Sequence, residues 1–338
     1  MDLAIEPVTF HLREPLRAAW GTLTERVVLR VLLEADDGLV GRGEAAPLEP
    51  YDGVSLAAVM AALDAYAAVA QERREEELLE ACRAERDLPQ ALAAIDLALW
   101  DLAGKRAGRP VAQLISVEAA RSIPVNATIG AEDRAGAAAA AAAAAQADFD
   151  TLKVKVAIGD DAGRLAAVRA VVGPRVAIRV DANGAWEVDE AVASLRALAP
   201  VGIELAEEPV HGIEALRAVR AEVDVPLSMD ETAAEEGAAG SGATDAVCLK
   251  IARCGGITGV LRDAAEARIA GSAVYLASTY DGPLGTAAAV HAAAGLEAGG
   301  PLPAHGLATL SAFEDAGERL HAVRGAIRVP REPGLGVA

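Results

Sequence analysis

The sequence predicts an α/β fold, a parallel (β/α) barrel preceded by an α+β segment, on three observations. Five short apolar runs follow one another across residues 151–251, and each ends on a charged residue. Between them, residues 162–172, 188–198 and 213–223 carry apolar side chains at helical three-and-four spacing. Alternation at this pitch is the pattern of βαβ units, which share one hand and close most readily into a barrel. The chain has 338 residues, more than the ~250 of a barrel alone, so a further unit of about 90 is expected.

From the start, residues 3–12, 26–34 and 39–44 read as antiparallel strands, with Asp36-Asp37-Gly38 as a hairpin turn. Two loops should interrupt them, 17–24 with Trp20 and 45–53 with Pro47, Pro50 and Tyr51. A loop aromatic docks on its own domain about as often as it meets a ligand; the functional expectation is that both loops cap the barrel mouth and shape the pocket. Helices are expected over 55–70 and 88–107, the second closed by Gly108 and Pro110. Trp100 and Asp101 on it read as packing and capping, and 71–86 as a solvated face or loop. Residues 1–115 would thus form an α+β capping domain, 116–310 the barrel, and 311–338 a tail returning to the cap.

The barrel should begin near 123–129, with Asn126 at a strand end, and the nine alanines of 137–145 should form an outer helix. The strand ends that follow carry Lys153 and Lys155, Asp181 and Asn183, Glu207 and Glu208, Asp230 and Glu231, and Lys250. C-terminal strand ends line the active sites of such barrels. Any one of these charges alone is more often a solvated ion; five in register are hard to assign to chance. Asp181, Glu207 and Asp230 stand 26 and 23 residues apart, and three convergent carboxylates repel unless a hard cation sits among them. Oxygen-only ligands favour Mg²⁺, with Mn²⁺ as a substitute. A lysine beside that ion is expected to lose proton affinity and serve as a base.

Beyond Lys250, Gly255-Gly256 reads first as a turn and second as a close backbone approach to substrate. Ser278 and Thr279, with the amides opening the helix at 283–294, could bind a substrate carboxylate, although capping by the same residues with Asp281 is the plainer reading. The eighth barrel position, 303–310, is short.

The net charge of −19 disfavours nucleic acid and anionic membranes. No run is long enough to span a bilayer and no signal sequence is seen, while Cys82, Cys248 and Cys254 fit reduced core thiols, so a cytoplasmic enzyme is expected. A small carboxylate is the expected partner, and assembly into a homo-oligomer is left open. Neither a Ser-His-Asp set nor a phosphate-binding glycine loop is found. His11 and His291 read as structural.

The motifs Lys153-Val154-Lys155, Asp181-Ala182-Asn183, Glu207-Glu208-Pro209, Asp230-Glu231 and Lys250 together resemble the enolase superfamily, in its muconate-lactonizing subgroup. The resemblance implies a modified TIM barrel, (β/α)₇β, under an N-terminal α+β cap. It implies Asp181, Glu207 and Asp230 as Mg²⁺ ligands, Lys155 and Lys250 as the facing acid/base pair, and Lys153 as their electrostatic neighbour. The superfamily's lysine base and Mg²⁺ are a known example of such chemistry. The mandelate-racemase-type His–Asp pair has no counterpart at the seventh strand. Arg179, the Glu-Glu-Pro form and Gly306-Leu307-Ala308-Thr309-Leu310 are most similar to o-succinylbenzoate synthases of menaquinone biosynthesis. The absence of an acid over 305–310 counts against a dipeptide epimerase, while Tyr280-Asp281-Gly282-Pro283 departs from the synthase pattern and leaves N-succinylamino acid racemase and muconate-type cycloisomerase as alternatives. An inactive barrel acting as a binding protein is the non-enzyme alternative, and the intact lysines and carboxylates count against it.

Overall fold

The structure, a computed structural model, describes residues 1–18, 21–130, 132–296 and 303–337. Strands β1 (Asp2–Ala18) and β2 (Gly21–Glu34) form one long hairpin, and β3 (Val40–Ala45) pairs with β2. The 17–24 stretch is therefore mostly strand, not loop. Pairing resumes past an irregularity between His11 and Leu16 and continues from Leu16 opposite Leu23 to Ala18 opposite Gly21. Trp20 lies outside the described residues.

Short α1 (Glu49–Asp52) precedes α2 (Leu56–Glu72), α3 (Glu75–Glu85), α4 (Pro89–Ala107) and α5 (Val111–Ile115). Leu29, Val31 and Leu33 of the sheet bury against Leu63, Tyr66, Leu78, Leu92 and Ile95. The 71–86 stretch thus contributes a packed helix as well as solvated charge, because Leu78 and Cys82 face the core. Gly43 lets β3 lie directly on α4, where a Cβ would stand 1.8 Å from the Ala94 carbonyl oxygen.

The barrel's first segment divides in two. Strand β4 (Ser122–Pro124) pairs with the tail, and only β5 (Ala127–Ile129) joins the parallel sheet. The chain then runs α6 (Arg134–Gln146), β6 (Thr151–Lys155), α7 (Asp161–Val172), β7 (Ala177–Asp181), α8 (Val188–Leu198), β8 (Ile203–Glu207), α9 (Ile213–Arg220) and β9 (Leu227–Met229). After β9 two 3-10 turns, Glu231–Ala234 and Ala239–Ser241, lead to β10 (Ala246–Leu249). There follow α10 (Ile251–Cys254), α11 (Ile257–Ile269), β11 (Ala273–Leu276) and α12 (Pro283–Leu296). The alanine run lies in α6, with Ala137 and Ala141 buried against the barrel.

Seven parallel strands follow in chain order from β5 to β11. His305 bridges to Val125 and Gly306 to Ala277, both in parallel, so this two-residue contact closes the ring in the eighth position. In the tail, β12 (Ala326–Arg328) pairs with β4, Phe313 stacks 5.7 Å from Phe10, and the Leu335 amide donates to Asp101 at 2.8 Å.

Two buried charges join the N-terminal sheet to the barrel mouth. Arg26 of β2 donates to the carbonyls of Pro47 (2.7 Å), Ala46 (3.1 Å) and Tyr280 (3.2 Å), tying the 45–53 loop to the turn after β11. Glu44 of β3 accepts the amides of Gly282 (2.7 Å), Leu284 and Gly285 (3.3 Å each) and so caps α12 from another domain. Burial, reinforced by nearby Asp281, pushes the Glu44 carboxyl up to about 7. An acid raised on folding stabilises most below its unfolded value near 4.5, and this contribution is lost as pH rises through about 7. At ~1.36 kcal/mol per pH unit, the group costs about 3 kcal/mol by pH 8. Urea unfolding of the unaltered protein should therefore lose about that much more stability between pH 4.5 and 8 than Glu44→Gln. Parallel pH curves for the two proteins would contradict the assignment.

Candidate active site

Strand alternation turns Lys153, Lys155 and Asp181 of neighbouring β6 and β7 inward at one end of the barrel, where Glu207 of β8, Asp230 after β9 and Lys250 after β10 join them. Asp181, Glu207 and Asp230 are at most 5% exposed. Lys153 Nζ bridges two of them, 2.8 Å from Asp181 Oδ2 and 2.6 Å from Glu207 Oε1. Lys155 Nζ lies 2.6 Å from Asp181 Oδ2 and 2.5 Å from Asn183 Oδ1. On the opposite flank Lys250 is hydrogen-bonded to Asp230 and, at 2.8 Å, to the Tyr51 hydroxyl. Arg253 donates to the same hydroxyl at 3.1 Å, so the 45–53 loop is held onto the site by its aromatic residue.

The electrostatics follow from burial and pairing. Burial opposes the charge on Asp181, but Lys153 and Lys155 outweigh it and hold the carboxyl below its ordinary range. Asp230 is likewise lowered, by Lys250 and then Lys153, against its burial. Glu207 goes the other way, up to about 7, because burial and its two acidic neighbours exceed the pull of Lys153 and Lys250. Lys153 and Lys250 are held well above the usual lysine value despite burial, chiefly by Asp181 and Asp230 respectively. In the protein alone each of these two ammonium groups rests on a carboxylate.

Other predicted residues take different places. Asn183 spans the rim, accepting from Lys155 and donating to Glu231 Oε1 at 3.0 Å. Arg179 reaches the carboxylates only indirectly. It pairs with Glu204 (2.7 Å), donates to the Ala304 carbonyl and lies over the Tyr275 ring, whose hydroxyl donates to Glu207 Oε2 at 2.9 Å. Gly255 and Gly256 both serve turns, the first reading of the sequence. Gly255 closes α10 at φ 77°, and Gly256, at φ 106°, brings the chain onto α4, where a Cβ would stand 2.2 Å from Asp96 Oδ2. Ser278 and Thr279 are occupied in capping: the Asp281 amide donates to Ser278 Oγ at 2.9 Å, and Thr279 Oγ1 donates to Asp281 at 3.2 Å. Since Glu44 takes the amides of α12, the expected carboxylate cradle there is already filled from within the protein.

Tyr275 escaped the sequence reading, and Glu208, named there only as a strand-end charge and within its motif, was given no role. Tyr275 gave only the weak signal of a phenol on an apolar strand. Glu208, fully buried, accepts the Asp230 amide at 2.6 Å, the Thr232 amide at 3.0 Å and the Thr232 hydroxyl, fixing the backbone that carries Asp230.

Against known families, residues 136–338 match the enolase C-terminal domain-like family, and residues 1–116 match the mandelate racemase / muconate lactonizing enzyme N-terminal domain. The chain belongs to the enolase superfamily. An N-succinyl-L-Arg/Lys racemase of Bacillus cereus is 29% identical, over 98% of this chain and 92% of its own. An o-succinylbenzoate synthase of Thermobifida fusca is 39% identical, but over 56% of this chain and 60% of its own. Among solved structures, a dipeptide epimerase of Enterococcus faecalis V583 complexed with Mg and the dipeptide L-Leu-L-Tyr superposes with TM-score 0.90 at 28% identity, covering 100% of this chain and 99% of that one. Within this enolase-superfamily chain, no helix among the described residues is long and apolar enough to cross a membrane.

Proposed function

We propose that this enzyme moves a proton at the carbon next to a carboxylate, with N-acylated amino acids, N-succinyl derivatives foremost, as substrates of a racemase. The observation that carries the reading is the pair of amines, Lys155 and Lys250, on opposite flanks of one group of buried carboxylates. Asp181, Glu207 and Asp230 would hold Mg²⁺. Their fit rests on the donor set: Glu207 and Asp230 offer oxygens within 4.8 Å of each other, and Lys153 links Asp181 to Glu207, so a positive charge already occupies the middle of the group. A hard divalent ion there supplies positive charge toward the carboxylate oxygens as the neighbouring carbon loses its proton.

The chain's own residues do the rest. Lys155, as the neutral amine, takes the α-proton on one face, and Lys250, as the ammonium, delivers one on the other; the roles exchange for the opposite enantiomer. Lys153 adds fixed positive charge, and Tyr51 orients Lys250 while excluding water from its flank. Full-length similarity to a racemase and an epimerase supports this choice over the synthase. The absence of an acid over 305–310 favours an acylated nitrogen over a free ammonium. The division into a cap (1–115), a barrel (116–310) and a returning tail (311–338) belongs to the same reading and is supported by the tail's contacts with both parts.

A second reading, o-succinylbenzoate synthase, is favoured by the 39% identity to the Thermobifida enzyme. There Lys155 would remove the proton, hydroxide would leave the adjacent carbon, and Lys250 would only stabilise charge. One experiment separates them. Incubation with Mg²⁺ in D₂O, followed by proton NMR and polarimetry, should show N-succinyl amino acids losing both the α-proton signal and optical rotation. Absorbance loss of the cyclohexadiene precursor without racemisation would select the synthase; no reaction with either would sink both readings.

A further inference from the structure

The acidic group has a fourth neighbour whose chemistry differs. Cys248 stands on β10 two residues before Lys250, so strand alternation turns its thiol to the same inward face, one layer below the amine. Its sulfur, one oxygen of Glu207 and one of Asp230 all lie within 4.8 Å of one another. The residue is 2% exposed and forms no disulfide. Its stem packs on Leu205, Ala246, Tyr275 and Ala277, but the sulfur itself faces two carboxylates.

An approach to this point exists from the side of the barrel. Because two 3-10 turns stand where a barrel helix would follow β9, a cleft of about 590 Å³ opens there, and Asp230, Cys248 and Lys250 line it. The rest of its charged lining is mixed, with the exposed acids Asp87, Glu235, Glu236 and Glu266 beside Arg83, Arg253 and Arg262.

We propose that Glu207, Asp230 and Cys248 form a mixed carboxylate–thiolate site for a thiophilic divalent ion, Zn²⁺ or Cd²⁺, which competes with the hard ion of the same acidic group. The inference rests on reading Glu207 and Asp230 as metal ligands. Two oxygens and one sulfur are three protein donors, the number that leaves a four-coordinate d¹⁰ ion one open position. On binding, the S–H bond breaks, a sulfur–metal bond forms, and the proton leaves to solvent; Lys250 gives up its contact with Asp230. Mg²⁺, which prefers oxygen, gains nothing from the sulfur, so the thiol selects for soft ions. Such an ion would inhibit by displacing Mg²⁺.

The test is a Cd²⁺ titration of the full chain, followed by its sulfur-to-metal ultraviolet absorption and by calorimetry. One equivalent should produce the band, and excess Mg²⁺ should reverse it. Cys248→Ser and Cys248→Ala should each lose the band and bind Cd²⁺ at least about tenfold more weakly, while Cys254→Ser keeps both. Mg²⁺-dependent thermal stabilisation of the Cys248 variants shows that they are folded with an intact acidic group. A band that survives in Cys248→Ser, or Cd²⁺ binding by the unaltered chain without any band, overturns the proposal. If Mg²⁺ stabilises the protein and Cd²⁺ gives no band, this inference fails and the functional reading stands; if neither ion binds, both fail.

Discussion

Lys155→Ala should lower the rate of α-proton exchange with D₂O by about a thousandfold for the enantiomer whose α-proton faces Lys155, within the range assigned to a positioned acid or base. The geometry makes this a loss of chemistry rather than of structure. Lys155 is the most exposed of the three amines, its side chain 30% accessible against 14% for Lys153 and 6% for Lys250. It is not a core element, and Asp181 keeps Lys153 when Lys155 is gone. Mg²⁺-dependent stabilisation should therefore survive. Lys250→Ala discriminates further: a two-base racemase loses racemisation with either variant, whereas in a synthase Lys250 would only stabilise charge. Substantial racemisation by Lys155→Ala, or undiminished exchange of both enantiomers, would remove it as the base.

Asp230→Asn should have the largest effect on stability and on metal binding together. Lys250 is almost wholly buried and rests on Asp230, so neutralising the carboxylate leaves a buried ammonium with Tyr51 as its remaining close partner. Breaking a buried pair from one side costs roughly 3–5 kcal/mol. The same substitution removes one of the three carboxylates proposed to hold Mg²⁺. A saturating ion at 100 times its dissociation constant adds about 2.7 kcal/mol to stability, and this increment should vanish. Thermal unfolding with and without Mg²⁺ measures both effects. A variant as stable as the parent, with its Mg²⁺ response intact, would show that Asp230 neither anchors Lys250 nor binds the ion.

Much of this arrangement is legible in the linear sequence because a parallel strand presents its functional residue at a fixed place, its C-terminal end. Lys155, Asp181, Glu207, Asp230 and Lys250 could be placed around one mouth from spacing alone, and the structure brings them there. Tyr51 was legible as an aromatic in a proline-bounded loop, although nothing local indicated that it would meet Lys250. Gly255 and Gly256 show the limit of such reasoning: glycine signals a close backbone approach, but not that Asp96 of α4 is what is approached.

What the sequence determined by itself, then, was the α/β class, the order of the barrel strands and the residues at their ends, since strand period and helix period are local properties. Only the tertiary structure decided who partners whom. Glu44, in a strand near the start of the chain, takes the amides of a helix 238 or more residues later and so closes the anion cradle that Ser278 and Thr279 had promised. Lys153 settles between two carboxylates, and Cys248 turns from a core thiol into a neighbour of Glu207 and Asp230. These outcomes depend on burial, which is a property of the assembled layers: removed from water, each charge must find its counter-charge wherever the fold has placed one.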